Sequence, residues 1–597
     1  MDAAQWSALT RSLTAVASGR APADVVLRDG RWVCVQSGEI LEHTDLAIKG
    51  ERIAYIGPDA GHTLGESTRV VDAEGRYLVP GLLDGHMHVE SGMLTVTEFV
   101  RAVLPHGTTG MFIDPHEIAN VLGLDGVRMM VDEAALQPVH VWVQMPSCVP
   151  SAPGLETAGA AIGPAQVAEA MRWPGVIGLG EMMNFPGVVA GDPEVHAILG
   201  ETRAAGKVIG GHYAAPDLGP DFHAYAAGGP EDDHEGTRLE DALARVRQGM
   251  KAMLRQGSAW HDVEAQIRAV TERGLDPRHF LLVTDDCHPG TLVHEGHMDR
   301  VVRTAIAAGA SPMVALQMAT LNTAEHFGVA REVGQLAPGR YADVLLVSDL
   351  ERLAIDAVYA RGRLAVEAGR LLLETPRFDY PERARASVRL ARPLAAADFV
   401  LKAPADGRLK AHVIGVIENQ APTRHLVLEV EARGGEVAID RGRDLAKVAL
   451  VERHRATGAV QVGLVQGLGF EAACAVASTV AHDSHHLLIV GTDEACMAAA
   501  GNELARLGGG QVVVRDGEVI ARVELPIAGL ISDEPAEVVA AKAEALLEGL
   551  RACGCRLNNA NMQISLLALV VIPELRISDR GLVDVARFAP VPALERA

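Results

Sequence analysis

The chain has 597 residues, of which 48% are hydrophobic, 61 are glycine and only 4% are aromatic. One hydrophobic core rarely grows past roughly 250–300 residues, so two or three domains are expected, and the mix suits a globular α/β protein with no long disordered span. The formal net charge of −23 argues against a nucleic-acid partner, because phosphate backbones call for clustered Lys and Arg.

The opening stretch MDAAQWSALTRSLTAVASGR has neither a basic start nor a sustained apolar run, so it does not read as a signal peptide. Residues 24–80 read as short strands joined by glycine turns. VVLRDGRWVCVQ carries an Asp-Gly hairpin signal, and DLAIKGERIAYIG repeats the pattern. From about 81 to 334 the texture changes. Short apolar runs such as GMFIDPH, VHVWVQMP, VIGLGEM, GKVIGGH and HFLLVTDD alternate with helical segments. One of these, TVTEFVRAVLPHG, sets Phe99, Val103 and Leu104 near helical spacing and is expected to stop at Gly107. A β-then-α repeat over roughly 250 residues has the size of a (β/α)₈ barrel.

After 334 the short strands return, in GQLAPGRYADVLLVSD and DAVYARGRLAVEAGR. Two strand-rich pieces therefore bracket the barrel. The fold expected is α/β: a (β/α)₈ TIM-like barrel at 81–334, inserted in a small split β-sandwich domain at 1–80 and 335–384. A C-terminal α/β domain of unknown role would follow at 385–597. Its apolar run ISLLALVVI is far too short to span a bilayer, so no membrane partner is expected. The seven cysteines are scattered and form no C-x-x-C pair. That argues against a disulfide framework or a zinc knuckle and fits a reduced, cytoplasmic setting.

In LLDGHMHVES, His86 and His88 stand one residue apart. Alternate strand residues share a face, so both imidazoles would enter the mouth of the barrel if this segment ends its first strand. Barrel enzymes keep their chemistry at that end. Other apolar runs also end in polar groups: Glu181 after VIGLG, His212 after KVIGG, His234 in EDDHEG, and Asp285 and Asp286 after FLLVT. Singly, each is more often a solvated loop charge or a turn cap. Together, with one carboxylate of the Asp285–Asp286 pair, they supply four imidazoles and two carboxylates, a donor set that Zn, Mn and Fe accept. DPHE at 114–117 has two readings of equal weight. Asp114 and Glu117 could relay protons, or Pro115 and His116 could turn the chain and Glu117 could open a helix, where a carboxylate is favoured. AHDSHH, with His482, Asp483, His485 and His486, reads as a polar turn between two apolar runs rather than a further metal site. HEGH at 294–297 has the wrong spacing for a metalloprotease helix, so His294 and His297 are expected in a loop.

With HMH early and TDD late in a barrel flanked by a split β domain, the chain resembles the amidohydrolase superfamily. Many members bridge two metals with a carboxylated lysine from strand 4. Here GLGEMMNFPGV has no lysine, and Glu181 stands in its place. With FIDPHEIANVLG, GHYAAPDL, DDHEG and MATLNTAEHFG, and then VASTVAHDSHHLLIVGTD and LPIAGLISDEP, the sequence looks like the adenine deaminases over nearly its whole length. The resemblance implies conversion of adenine and water to hypoxanthine and ammonia by a metal-bound hydroxide at a binuclear site. Mn(II) or Fe(II) is favoured and Zn(II) stays open; no other cofactor is implied. It assigns His86, His88 and Asp285 to one metal, His212 and His234 to the other, and Glu181 to a bridge. It makes Asp285 the proton carrier, gives Glu235 a role at purine N1, and places Asp114 and Glu117 near the reaction.

The partner expected is a small-molecule purine. Homo-oligomers, dimers or larger, are common among soluble enzymes, and no interface is readable in the sequence. The runner-up activity is hydrolysis of a cyclic amide, as in dihydropyrimidinase- and hydantoinase-like relatives. A non-catalytic barrel used as a scaffold comes third. The zinc deaminases that act on nucleic acids need H-x-E with P-C-x-x-C, which this chain lacks.

Overall fold

The computed structural model describes residues 2–596. Eight strands carry the centre of the chain: β1 Leu82–His88, β2 Thr108–Ile113, β3 His140–Met145, β4 Val176–Met182, β5 Val208–Gly211, β6 Asp232–Asp233, β7 Lys251–Arg255 and β8 Phe280–Val283. Every ladder among them is parallel and joins neighbours in chain order, β1 through β5 in one run and β6 through β8 in another. Between the runs, Glu231 N donates to the Ile209 carbonyl at 2.8 Å and Gly211 N to Asp232 Oδ1 at 3.0 Å. Past Val283 the last strand resumes at Asp285–Asp286 and pairs in parallel with Met87–His88. The sheet thus curls until its last strand meets its first, a TIM-like α/β fold.

Parallel strands need long crossovers and are buried on both faces, which is why these strands are buried and mostly apolar and helices separate them. The expected helix is present at Val96–Val103. Thr95 Oγ1 accepts from Glu98 N at its start, a single 3₁₀ turn follows, and Gly107 stops it with φ +77°. Phe99, Val103 and Leu104 are fully buried. Inside the curl, Phe112 stacks on Trp142 with ring centroids 4.7 Å apart and on Phe327 at 4.0 Å. Met253, Leu281 and Val283 complete that plug. The floor is therefore dry, and the polar residues collect at the strand ends above it.

The strand-rich pieces before and after the barrel segment pair with each other. Tyr77–Pro80 runs antiparallel to Val344–Asp349 within one nine-stranded sheet. Ile53 and Leu78 from the first piece share a core with Val344, Leu346 and Ala357 from the second. The chain beyond 400 builds an eleven-stranded sheet, flanked by the helices Glu494–Leu507 and Ala536–Ala552.

This C-terminal region lies against the open end of the strands. Ser532 N donates to the Met93 carbonyl at 2.9 Å, and Thr157 donates through both N and Oγ1 to Asp579 at 2.8 Å each. Arg576 ties its inner loops together without any carboxylate. Fully buried, it donates to the carbonyls of Ile572, Leu566, Ala421 and Pro573. Burial lowers its pKa to about 9, so it stays charged at neutral pH. Arg576→Met would leave those carbonyls without their donor, and each unmet buried group costs about 1–3 kcal/mol. The expected result is an unfolding midpoint lowered by the equivalent of about 3 kcal/mol or more. A midpoint equal to that of the unmutated chain in a denaturant titration would show the guanidinium to be dispensable.

Candidate active site

His86 and His88 close β1 and are both buried. His88 Nδ1 donates to the Asp114 carbonyl at 2.8 Å. That bond fixes the tautomer, so Nε2 carries the lone pair that faces the cavity. His88 Nε2 lies 3.2 Å from Asp285 Oδ1 and 3.5 Å from Glu181 Oε1. His86 Nε2 lies 3.7 Å from Asp285 Oδ1 and has no hydrogen-bond partner among the described residues. The His86 ring stacks on that of His234, 3.9 Å between centroids.

Glu181, at the end of β4, sits between these groups. Its Oε1 faces His88, while its Oε2 lies 3.1 Å from His234 Nε2 and bonds His212 Nδ1. Burial pushes its carboxyl up, but His212 and His234 hold it well below the ordinary range. Asp285 adopts φ +63°, a left-handed conformation uncommon outside glycine, asparagine and aspartate. Its Oδ2 accepts from Arg255 Nη1 at 2.9 Å. Against the upward push of burial, His88 and the Arg255 guanidinium keep this carboxyl well below the ordinary range. The structure thus brings together all six residues proposed from the sequence as metal ligands.

Would a pair of cations fit this cluster? Four imidazoles and two carboxylates present ring nitrogens and oxygens to one another across short gaps, and no ammonium or guanidinium enters among the imidazoles. The two oxygens of Glu181 turn toward different histidines. The orphaned His86 Nε2 is a buried acceptor or donor that the protein itself does not satisfy. Such a donor set suits two borderline divalent cations.

The cavity above the cluster has a volume of about 1060 Å³. Phe185 and Trp260 line it from the barrel side, and Met562, Leu569 and Phe588 from the C-terminal region. Apolar walls with a few convergent polar groups are the ordinary make-up of a small-molecule site.

Two family models match this chain: the amidohydrolase family over residues 77–365 and the adenine deaminase C-terminal domain over residues 420–589. Adenine deaminase 3 of Rhizobium meliloti is 61% identical over 591 residues, 99% of each chain. Adenine deaminase of Moorella thermoacetica is 54% identical over 584 residues, 98% of each chain. The chain belongs to the adenine deaminase family. In this member of the family, Glu181 closes β4 with His88, His212 and His234 around its two oxygens, and no lysine stands at that position.

Three further residues expected near the reaction fall in different places. Asp114 is fully buried behind the cluster, where its Oδ2 accepts from Glu181 N at 2.8 Å. It holds Glu181, and through its carbonyl His88, in place. Glu117 lies in the first turn of the helix His116–Leu122, as the helix-start reading has it, yet it is buried and lines the cavity. Glu235 stands at the rim, 3.6 Å from His234 Nε2 and paired with Arg255 Nη1 at 2.5 Å. Asp286 also lines the cavity; burial and the neighbouring Asp285 raise its pKa.

Some site residues of this adenine deaminase family member escaped the sequence reading. Arg255 ends β7 and anchors Glu235, Asp262 and Asp285. The signal was a strand, KAMLR, ending in a charge. His116 does more than turn the chain: its Nδ1 lies 3.2 Å from Glu181 Oε1. AHDSHH is the turn between two apolar runs, as expected. But it is buried, and His482 and Asp483 line the active cavity. The loop expected for HEGH holds for His297, between the helices Pro289–His294 and Met298–Ala307, and fails for His294. His294 ends the short helix Pro289–His294 and meets Glu544 at 3.0 Å, whereas His297 is buried beside Thr108 Oγ1 at 3.0 Å. Apolar packing around Phe99 and Met298 draws His297 out of solvent.

Proposed function

We propose that this chain deaminates adenine hydrolytically, giving hypoxanthine and ammonia. The observation that carries this reading is the position of Glu181, one carboxylate shared among His88, His212 and His234 beneath an apolar-walled cavity, in a chain of the adenine deaminase family. His86, His88 and Asp285 would hold one divalent cation, His212 and His234 the other, and Glu181 both. Bound there, such cations lower the pKa of water from near 16 to about 7 and so provide a strong nucleophile at neutral pH. We take Mn(II) or Fe(II) as native, with Zn(II) as the alternative. The all-nitrogen-and-oxygen donor set, without a thiolate, supports the harder end of that range.

Two protons have to move. One leaves water for N1 as C6 becomes tetrahedral, and one leaves the new hydroxyl for the amine as ammonia departs. In our reading Asp285 carries both. Arg255 fixes its Oδ2, and its Oδ1 faces the histidines. Glu235 was the sequence candidate for protonating N1. Burial pushes its pKa up, but the Arg255 guanidinium and His212 hold it below the ordinary value. It therefore starts ionised, and in our reading it accepts a hydrogen bond from the substrate rather than donating a proton. Asp114 acts as a positioning residue behind Glu181.

The division into 1–80 with 335–384, 81–334 and 385–597 is our proposal for the domains. The pairing of Tyr77–Pro80 with Val344–Asp349 supports the split first unit. A cytoplasmic setting is supported by the seven cysteines, all unpaired. No helix among the described residues is long and apolar enough to cross a membrane.

Ammonia release by the Mn-reconstituted protein, measured with adenine, adenosine, dihydrouracil and hydantoin, tests the activity. Adenine is expected to yield ammonia and hypoxanthine in equal amounts. Ring opening of dihydrouracil or hydantoin, with no ammonia from adenine, would transfer the site to the cyclic amide hydrolases.

A further inference from the structure

A second set of ligating side chains lies beside the first. His116 and Glu117 come from the start of the helix after β2. His482 and Asp483 come from the C-terminal region, in the turn between the strands Cys474–Ser478 and Leu487–Gly491. Their polar atoms form a closed ring. His116 Nε2 lies 3.8 Å from both Glu117 Oε1 and Asp483 Oδ1, and His482 Nδ1 lies 3.8 Å from Glu117 Oε1 and 3.6 Å from Asp483 Oδ1. All four residues are more than nine-tenths buried.

These gaps are too wide for hydrogen bonds. No side chain of the four hydrogen-bonds any other described residue, and even the atoms turned away from the ring, His116 Nδ1, Glu117 Oε2 and Asp483 Oδ2, are buried with no partner. Buried carboxylates and imidazoles are almost always satisfied, because leaving them unmet is costly. Here His116, His482 and Asp483 instead bring ligand atoms within 4.8 Å of one another, and Glu117 Oε1 closes the ring beside His116 and His482. Ligand atoms about 2.1 Å from a tetrahedral cation stand about 3.4 Å from one another. The four neighbouring gaps, 3.6–3.8 Å, are a few tenths of an ångström wider than that spacing.

We propose that His116, Glu117, His482 and Asp483 form a third site for a divalent cation of the Mn, Fe or Zn class, separate from the pair assigned to His86, His88, Glu181, His212, His234 and Asp285. Its ligands come equally from the barrel segment and the C-terminal region, so the cation clamps one onto the other at the mouth of the cavity. It also reaches the reaction centre through one ring. Nε2 of His116 faces the new site while Nδ1 stands 3.2 Å from Glu181 Oε1. The C-terminal region thereby gains a role, as supplier of half a metal site that orients the barrel's own ligands.

Metal content of the full-length protein, reconstituted with Mn(II) and freed of loose metal, provides the test. It is compared with His482→Gln and Asp483→Asn, and crystals of the unmutated protein are measured at the Mn absorption edge. The expected result is one cation fewer per chain in each variant, with an anomalous peak amid the four atoms. Equal metal content in all three proteins would overturn the proposal. So would peaks confined to the catalytic cluster, including the case in which adenine itself contacts the four atoms. Should the variants fail to fold, the anomalous map of the unmutated protein decides alone. A filled ring beside an empty catalytic cluster would sustain this site and count only against the proposed function.

Discussion

Asp285→Asn is expected to lower the rate of ammonia release by about a thousandfold or more, the scale of a lost general base, while most of the bound metal remains. The substitution is close to isosteric. Asparagine is one of the few residues that tolerate the left-handed backbone found at 285, φ +63°, so the fold pays little for the change. What disappears is the charge and the proton-accepting oxygen. Arg255 would still find an amide oxygen where Oδ2 now accepts its hydrogen bond, but no group would remain at Oδ1 to take a proton from water and pass it on. His86, His88, Glu181, His212 and His234 still supply imidazoles and a carboxylate, which is why metal is retained. Initial rates and metal analysis on the same sample check both halves. A variant with near-normal turnover would strip Asp285 of the role.

The parts of the site that could be read from the sequence share one property: they end strands. In a parallel sheet the apolar run announces the strand, and its last residue points into the mouth. Glu181, His212 and Asp285 could therefore be found one at a time, and His86 with His88 by the two-residue period. Arg255 ends a strand too, yet a terminal arginine after KAML looks like solvated charge. Only the convergence of Glu235, Asp262 and Asp285 on it, from three other segments, explains its burial. His116 was overshadowed by the carboxylates on either side of it. His482 and Asp483 were out of reach for a different reason. They approach the barrel through docking of a region hundreds of residues downstream, and nothing local records which of its turns will face inward. The eight-strand curl was legible because each βα unit is local. The continuity of the split sheet across Tyr77–Pro80 and Val344–Asp349 was inferred only from the similar texture of its two halves.

Glu181→Gln should be more damaging still, because it strikes the binding of the metals rather than one proton transfer. Among the described residues, Glu181 is the only carboxylate within 4.0 Å of both His88 and the His212–His234 pair. A glutamine of the same length keeps one oxygen and replaces the other with an amide NH₂, which would face either His88 or His234 with a donor where an acceptor is needed. It also removes the single negative charge held between the imidazoles. At about 4 Å and an effective dielectric near 20, one unit of opposite charge is worth about 4 kcal/mol. Two dications sharing that charge would lose several such increments. The purified variant is therefore expected to carry almost none of the catalytic pair and to release no measurable ammonia from adenine, even with added Mn(II). The barrel should persist, since Asp114 still accepts from the backbone nitrogen of residue 181 and the packed floor around Phe112 lies below the change. Circular dichroism separates loss of metal from loss of fold. If the variant kept both cations, Glu181 could not be the bridge, and the pairing of His86 and His88 with His212 and His234 around one carboxylate would need another explanation.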